Sequence, residues 1–199
     1  MSLNSLKELK IGNLTARLPI IQGGMGVGIS LSGLASAVAN EGGVGVIAAA
    51  GIGMLDYDFS TKFIEANIAR LRSEIRKARE KSKGIIGINI MVALSNYAEF
   101  VKASIEEGID IIFSGAGLPL NLPQYLEEKY ETKLVPIVSS ARAAGIICKK
   151  WLDKYNYLPD AIVVEGPKAG GHLGFKENQI FDPDYSLEKI LPEVVDEVK

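Results

Sequence analysis

"GIIGINIM", residues 84–91, is an uncharged run whose apolar positions are mostly β-branched isoleucine. At eight residues it is too short for the buried helix that uniform hydrophobicity could also mean, so it reads as a strand. A strand of this kind is covered on both faces, the position of a strand in a parallel sheet with helices packed on it. Working outward from Ile85–Ile90, runs of the same kind stand at Pro19–Gln22 and Val44–Ala48 before it. Three more follow, at Ile109–Phe113, Leu134–Val138 and Ala161–Val164.

Counted from residues 19, 44, 85, 109, 134 and 160, these runs start about 25, 41, 24, 25 and 26 residues apart. Each interval has room for a strand, a loop, a helix and a return loop. The expected unit is therefore βα, repeated six times. Ser30 or Ser32 can cap a helix that stops at Gly42 and Gly43, and Asn96 with Glu99 forms a capping pair ahead of a helix ending near Gly108. Ser139 or Ser140 precedes the fifth helix. Such a chain fits an open doubly wound sheet or a closed (β/α)8 barrel of the TIM type. The dinucleotide fingerprint of the open sheet requires G-x-G-x-x-G and an acid about 20 residues further on. Here Gly28 follows Gly26 by two residues, and the next acid, Glu41, ends the first helix, so the fingerprint fails.

With 199 residues the chain suffices for one well-cored domain, burying about 70% of the surface its unfolded form exposes. Its 47% hydrophobic and 23% charged residues are those of a soluble globular protein. A net charge of −2 gives no general attraction to phosphate backbones or anionic lipid, so neither nucleic acid nor membrane is an expected partner. The one basic stretch, Lys62–Lys83, has Ile64, Ile68, Leu71, Ile75 and Ala78 at helical spacing and reads as an amphipathic helix with a solvated face. Gly42–Leu55 is too short and glycine-rich to cross a bilayer, and the N-terminus lacks a secretory layout, so a cytoplasmic protein is expected. Cys148, alone among Ile146, Ile147 and Trp151, suits packing. One histidine, one cysteine and no tight acidic cluster leave too few ligands for a zinc site, and no metal is expected.

Ligands of parallel α/β proteins gather where strands finish. There this chain places "QGGMGVG" (22–28), "GINIM" (87–91), "SGAGLP" (114–119), "PIVSSAR" (136–142) and "VVEGPKAGGHLGF" (163–175). Any one of these loops reads as an ordinary tight turn. Together they offer backbone without Cβ atoms to a wide, flat ligand. "PIIQGGMGVGIS" (19–30), "GINIM" and "EGPKAGGHLGF" (165–175) resemble the nitronate monooxygenase family, formerly the 2-nitropropane dioxygenases, and its relative the flavin-dependent enoyl-acyl-carrier-protein reductases. The resemblance covers the whole chain, and its most specific piece is A-G-G-H-x-G at Ala169–Gly174.

The resemblance implies a barrel that binds FMN at its strand carboxyl ends. Gly24, Met25 and Gly26 would lie along the isoalloxazine edge, Asn89 would donate or accept at the flavin, and Glu165 with Ala169, Gly170 and Gly171 would line its other side. His172, the one histidine in the chain, would handle the proton, since imidazole ordinarily titrates near neutrality. Without the family match, Met25 would read as a core filler. Lys168 is an alternative base, but a solvated lysine stays charged at neutral pH.

Family members carry two further βα units, with an "AAGGI"-like and a "G-T-R-F"-like loop that hold the FMN phosphate; neither is present here. "SLEKILPEVVDEVK" (186–199) reads as the sixth helix, so residues 1–199 are expected to be a single incomplete barrel domain, truncated after that helix. Its first and last strands cannot pair, and open edges invite association, including into a homo-oligomer. FMN affinity of the piece alone should be weak, because the last two loops usually bind the phosphate. The implied activity is FMN-dependent oxidation of nitronates or nitroalkanes with O2 to a carbonyl compound and nitrite. NAD(P)H-dependent reduction of an enoyl thioester is the alternative, and a catalytically silent flavin-binding accessory domain is a third.

Overall fold

The computed structural model describes residues 6–54 and 63–199; Leu55 and Lys62, which bound two of the stretches above, lie outside the described residues. Strands β3 (Gly45–Ala48), β4 (Ile86–Met91), β5 (Ile111–Gly115), β6 (Lys133–Val138) and β7 (Val163–Val164) lie side by side in chain order, all parallel. They follow a short antiparallel hairpin, β1 (Leu9–Ile11) with β2 (Leu14–Ala16). Helices α1 (Ser32–Asn40), α2 (Phe63–Lys81), α3 (Tyr97–Glu106), α4 (Ala141–Tyr155) and α5 (Leu187–Glu197) complete the set. A strand order that never reverses has no switch point, which separates this sheet from the doubly wound class. The molecule is half of a (β/α)8 barrel of the TIM type.

The deciding run, Ile86–Met91, shows why. Ile86, Ile88 and Ile90 point outward into the layer shared with the helices, where they meet Leu71 and Ile75 of α2 and Phe100 of α3. The alternate positions face the barrel axis, where the ring of Phe113 fills the place that a Cβ on Gly87 would need. Both faces are covered, so the run is continuous in sequence although its two faces have different neighbours. A second core cluster lies inside the barrel, built from Val44, Val46, Ile111, Phe113 and Val135 against Ile11 and Ala16 of the hairpin. That hairpin packs on the inner face at the amino-terminal ends of the strands, where Gly12 lies against Lys133 and Asp160.

Several sequence expectations are corrected. The first run, Pro19–Gln22, is no full strand but an isolated parallel bridge between Ile21 and Val44, since beyond Gln22 N the groups of Val46 bond to the Gln22 side chain and not to the backbone. The hairpin was not foreseen, because three-residue strands carry too little periodicity to read. Between β5 and β6 there is a 3-10 turn, Leu122–Tyr125, in place of the expected helix; Pro119 and Pro123 remove donors there. Neither Ser30 nor Ser32 caps α1, whose N-cap is Leu31. Its first turn is served instead from α2: the buried Glu74 carboxylate accepts from Ser32 N at 2.9 Å. Asn96 occupies the N-cap of α3 without a side-chain cap bond, and its buried Nδ2 has no partner among the described residues. Ser140 does cap α4, accepting from Ala143 N at 3.3 Å.

The basic side of α2 is not simply solvated. Arg76 donates two bonds of 2.6 Å to Glu107, Arg72 reaches both Glu106 and Glu107, and Arg79 pairs with Asp110 at 2.7 Å. These pairs lock α2 to the end of α3. Hydrogen bonds from Arg76 outweigh burial and, with Arg72, hold the Glu107 carboxyl below the usual carboxylate range. A carboxyl depressed on folding contributes stability above its unfolded pKa, and that contribution disappears as pH falls through the depressed folded value. Glu107→Gln should therefore lose less stability than the parent between about pH 6 and about pH 3, read as urea midpoints. No helix among the described residues is long and apolar enough to cross a membrane.

Candidate active site

The carboxyl ends of the strands open into one cavity of about 1050 Å3. Its wall is made by the Gly23–Val27 loop, by Asn89 and Met91 of β4, by the loop after β5, by the end of β6, and by Glu165 and Gly170–Gly174 after β7. Of the residues singled out from sequence, Gly24, Met25, Gly26, Asn89, Glu165, Gly170, Gly171 and His172 stand on this one wall. Ala169 does not. With Lys168 it lines a smaller cavity of about 560 Å3 between β7 and the start of α5, and Glu165 borders both spaces.

Two glycines explain how the loops come together. A Cβ on Gly24 would sit 2.5 Å from Cβ of Asn89, so the loop touches β4 there only because the residue is glycine. Gly171 has φ 86°, a left-handed bend immediately before His172 that glycine takes without a steric penalty, and a Cβ there would meet nothing within 4 Å. Strain is stored on the same wall. Val27 (φ 51°) and Ala116 (φ 52°) hold left-handed conformations that suit neither side chain, and Val27 is kept there by its N–H donating to Ala50 O at 2.8 Å.

The histidine loop is pinned at both ends. Glu165 N donates to Val138 O at 2.7 Å as the chain leaves β7. At the far end the Glu165 carboxylate accepts from Gly174 N at 3.0 Å, and Ser139 Oγ donates to Gly174 O at 3.3 Å. The sequence marks Ser139 only as one of two candidate caps. Because Ser140 alone makes the cap bond, a second serine at the end of a strand was the available signal for a rim role. His172 itself is exposed on the rim.

Met25, Met91, Leu118 and Ile137 make the wall largely apolar, Asn89 adds a group that both donates and accepts, and Glu165 is its charged residue among those described. The arrangement can hold a broad, flat, mostly apolar ligand next to a proton carrier. No group of three or more His, Cys, Asp or Glu able to hold a metal ion occurs among the described residues.

Comparison with known proteins places the chain by fold and family. FabK from Thermotoga maritima superposes with a TM-score of 0.67 at 27% identity, covering 91% of this chain and 48% of that one. A nitroalkane oxidase from Streptomyces ansochromogenes shares the fold, with a TM-score of 0.69 at 18% identity over 92% of this chain and 56% of its own. A (3aS,4S,5R,7aS)-5-hydroxy-7a-methyl-1-oxo-octahydro-1H-indene-4-carboxyl-CoA dehydrogenase of Mycobacterium tuberculosis is 25% identical over 78% of this chain and 38% of its own length. The chain thus spans about half or less of each relative. The family described as nitronate monooxygenase matches residues 7–199, and with that match the chain belongs to the nitronate monooxygenase family of oxidoreductases.

Proposed function

We propose that the protein is an FMN-dependent oxidoreductase that oxidises nitronates or nitroalkanes with O2 to a carbonyl compound and nitrite. The observation that carries this reading is the convergence of His172, Asn89 and the Gly24–Gly26 loop on one wall at the strand carboxyl ends. A volume of about 1050 Å3 exceeds the need of a small metabolite and suits a tricyclic ring together with a substrate. The lining fits the ring better than its phosphate, since it is apolar with one carboxylate and carries no Lys or Arg among the described residues.

Gly24, Met25 and Gly26 would meet one edge of the ring, Asn89 its polar edge, and Glu165 with Gly170 and Gly171 the opposite side. When bound, FMN supplies the redox chemistry, accepting two electrons from the substrate and passing them to O2. His172 takes the α-proton of a nitroalkane; a preformed nitronate arrives without it. Lys168 borders the other cavity and is not placed to share this task.

A second reading, reduction of an enoyl thioester at the expense of NAD(P)H, is favoured by the 27% identity to FabK against 18% to the nitroalkane oxidase. One pair of assays separates them. The purified full-length protein is first scanned for oxidised-flavin absorbance, then given propionate-3-nitronate in air and, separately, NAD(P)H with a crotonyl thioester. Nitrite formed without NAD(P)H supports the nitronate reading. Thioester-dependent loss of NAD(P)H supports the reductase, and silence in both leaves a flavin-binding accessory domain.

A further inference from the structure

We infer that Gln22 is a positioning residue whose side-chain amide stands in for a piece of β-ladder, releasing the glycine loop from the sheet so that it can arch over the cavity. The inference rests on the flavin reading of that cavity. The chain enters as a regular parallel pair: Val44 N donates to Ile20 O at 2.9 Å, and Gln22 N donates to Val44 O at 3.0 Å. Continued in register, the next two bonds would run from Val46 N to Gln22 O and from Gly24 N to Val46 O. Neither forms. Val46 N instead donates to Gln22 Oε1 at 3.2 Å, and Gln22 Nε2 donates to Val46 O at 2.8 Å. One carboxamide has replaced the carbonyl of residue 22 and the amide of residue 24.

The substitution has a physical reason. Val46 is buried, and leaving its N–H and C=O unpaired would be costly, so the main chain can leave the sheet here only if another group serves them. Glutamine carries an acceptor and a donor with the spacing of a peptide group; glutamate, methionine and leucine do not. The released chain is then fastened by Ser30, fully buried, whose Oγ takes bonds from Gln22 Nε2 at 3.1 Å and Met25 N at 3.0 Å and lies 3.2 Å from the Gly23 carbonyl to which it donates. Freed from the ladder, Gly24 lies against Asn89 and Val27 bonds to Ala50, so the arch forms the cavity wall. If the ladder zipped on past Ile21, Gly24 N would be turned to Val46 and the arch would be drawn away from Asn89.

The test uses Gln22→Met, which keeps the length and loses both bonds, and Gln22→Glu, which keeps only the acceptor. Amide exchange of Val46 and of residues 23–30 is measured without added cofactor, and FMN affinity is measured by fluorescence titration. In Gln22→Met, exchange at these amides should rise about 10- to 100-fold and FMN should bind at least about tenfold more weakly, while exchange in α3 stays as in the parent; Gln22→Glu should fall between. A merely structural defect would raise exchange throughout the sheet and is told apart by that pattern. Unchanged loop exchange, or altered exchange with unchanged FMN affinity, overturns the inference. If the parent itself binds no FMN, the cofactor reading fails independently of what exchange says about Gln22. Should Gln22→Met not fold, Ser30→Ala, which removes the fastening and spares the Val46 bonds, is put through the same two measurements: faster loop exchange with weaker FMN binding supports the inference, and no change in either overturns it.

Discussion

Replacing His172 by alanine is expected to lower turnover of a neutral nitroalkane by about 10²- to 10⁴-fold while oxidised-flavin absorbance is retained. The loss should be smaller for a preformed nitronate, whose α-proton is already gone. The structure explains why fold and cofactor site should tolerate the change. His172 is exposed, and its loop is held by Glu165 and Ser139 through Gly174 and by the Glu165 amide on Val138, none of which uses the imidazole. Lys168, three residues after Glu165, opens on the other cavity and offers no ready substitute. Steady-state rates with both substrates, recorded with the flavin spectrum, test the point. Equal rates for variant and parent on the nitroalkane would remove His172 from the chemistry.

Trp151→Ala should give the largest loss of stability, about 3–5 kcal/mol, or a fall in melting temperature of roughly 6–20 °C for a chain of this size. Trp151 is fully buried in α4, its ring stands 6.1 Å from that of Tyr157, and its Nε1 donates to Pro119 O at 3.0 Å. Truncation therefore leaves a cavity and removes one of the two bonds to the buried Pro119 carbonyl, which keeps its bond from Leu122 N at 3.1 Å. Pro119 follows directly on Ala116–Leu118 of the cavity wall, so FMN affinity should weaken along with the fold. Differential scanning calorimetry of Trp151→Ala beside Trp151→Phe checks the packing part, because phenylalanine refills most of the volume but makes no bond to Pro119. A melting temperature within about 2 °C of the parent in the alanine variant would refute it.

Much of the barrel was legible in the chain because burial leaves a local mark. Ile86, Ile88 and Ile90 are apolar since helices cover them, and Ile111, Phe113 and Val135 are apolar since the barrel interior does. Each strand therefore shows as an uninterrupted run. Ends and connections were less legible. The segment between β5 and β6 had the length of a loop and helix, yet Pro119 and Pro123 leave only a 3-10 turn. At the site, the gathering of Gly24, Asn89 and His172 followed from their common place at strand ends. Ala169 sits in the same motif, but the bend at Gly170–Gly171 carries the chain from one cavity to the other, and no local pattern records that turn.

The amino-acid order alone determined the rhythm of strand and helix, the crowding of glycine at one end of the strands and the single imidazole among them. These properties depend on each residue's own burial and backbone freedom. Only the tertiary structure decided that a hairpin from residues 9–16 packs on the inner face at the far end, that Glu74 serves the start of α1, and that the Gln22 amide replaces two main-chain groups beside Val46. The last two pairings join segments 24 or more residues apart, and a hydrogen bond is assigned by which groups meet in space, something no stretch of sequence contains by itself.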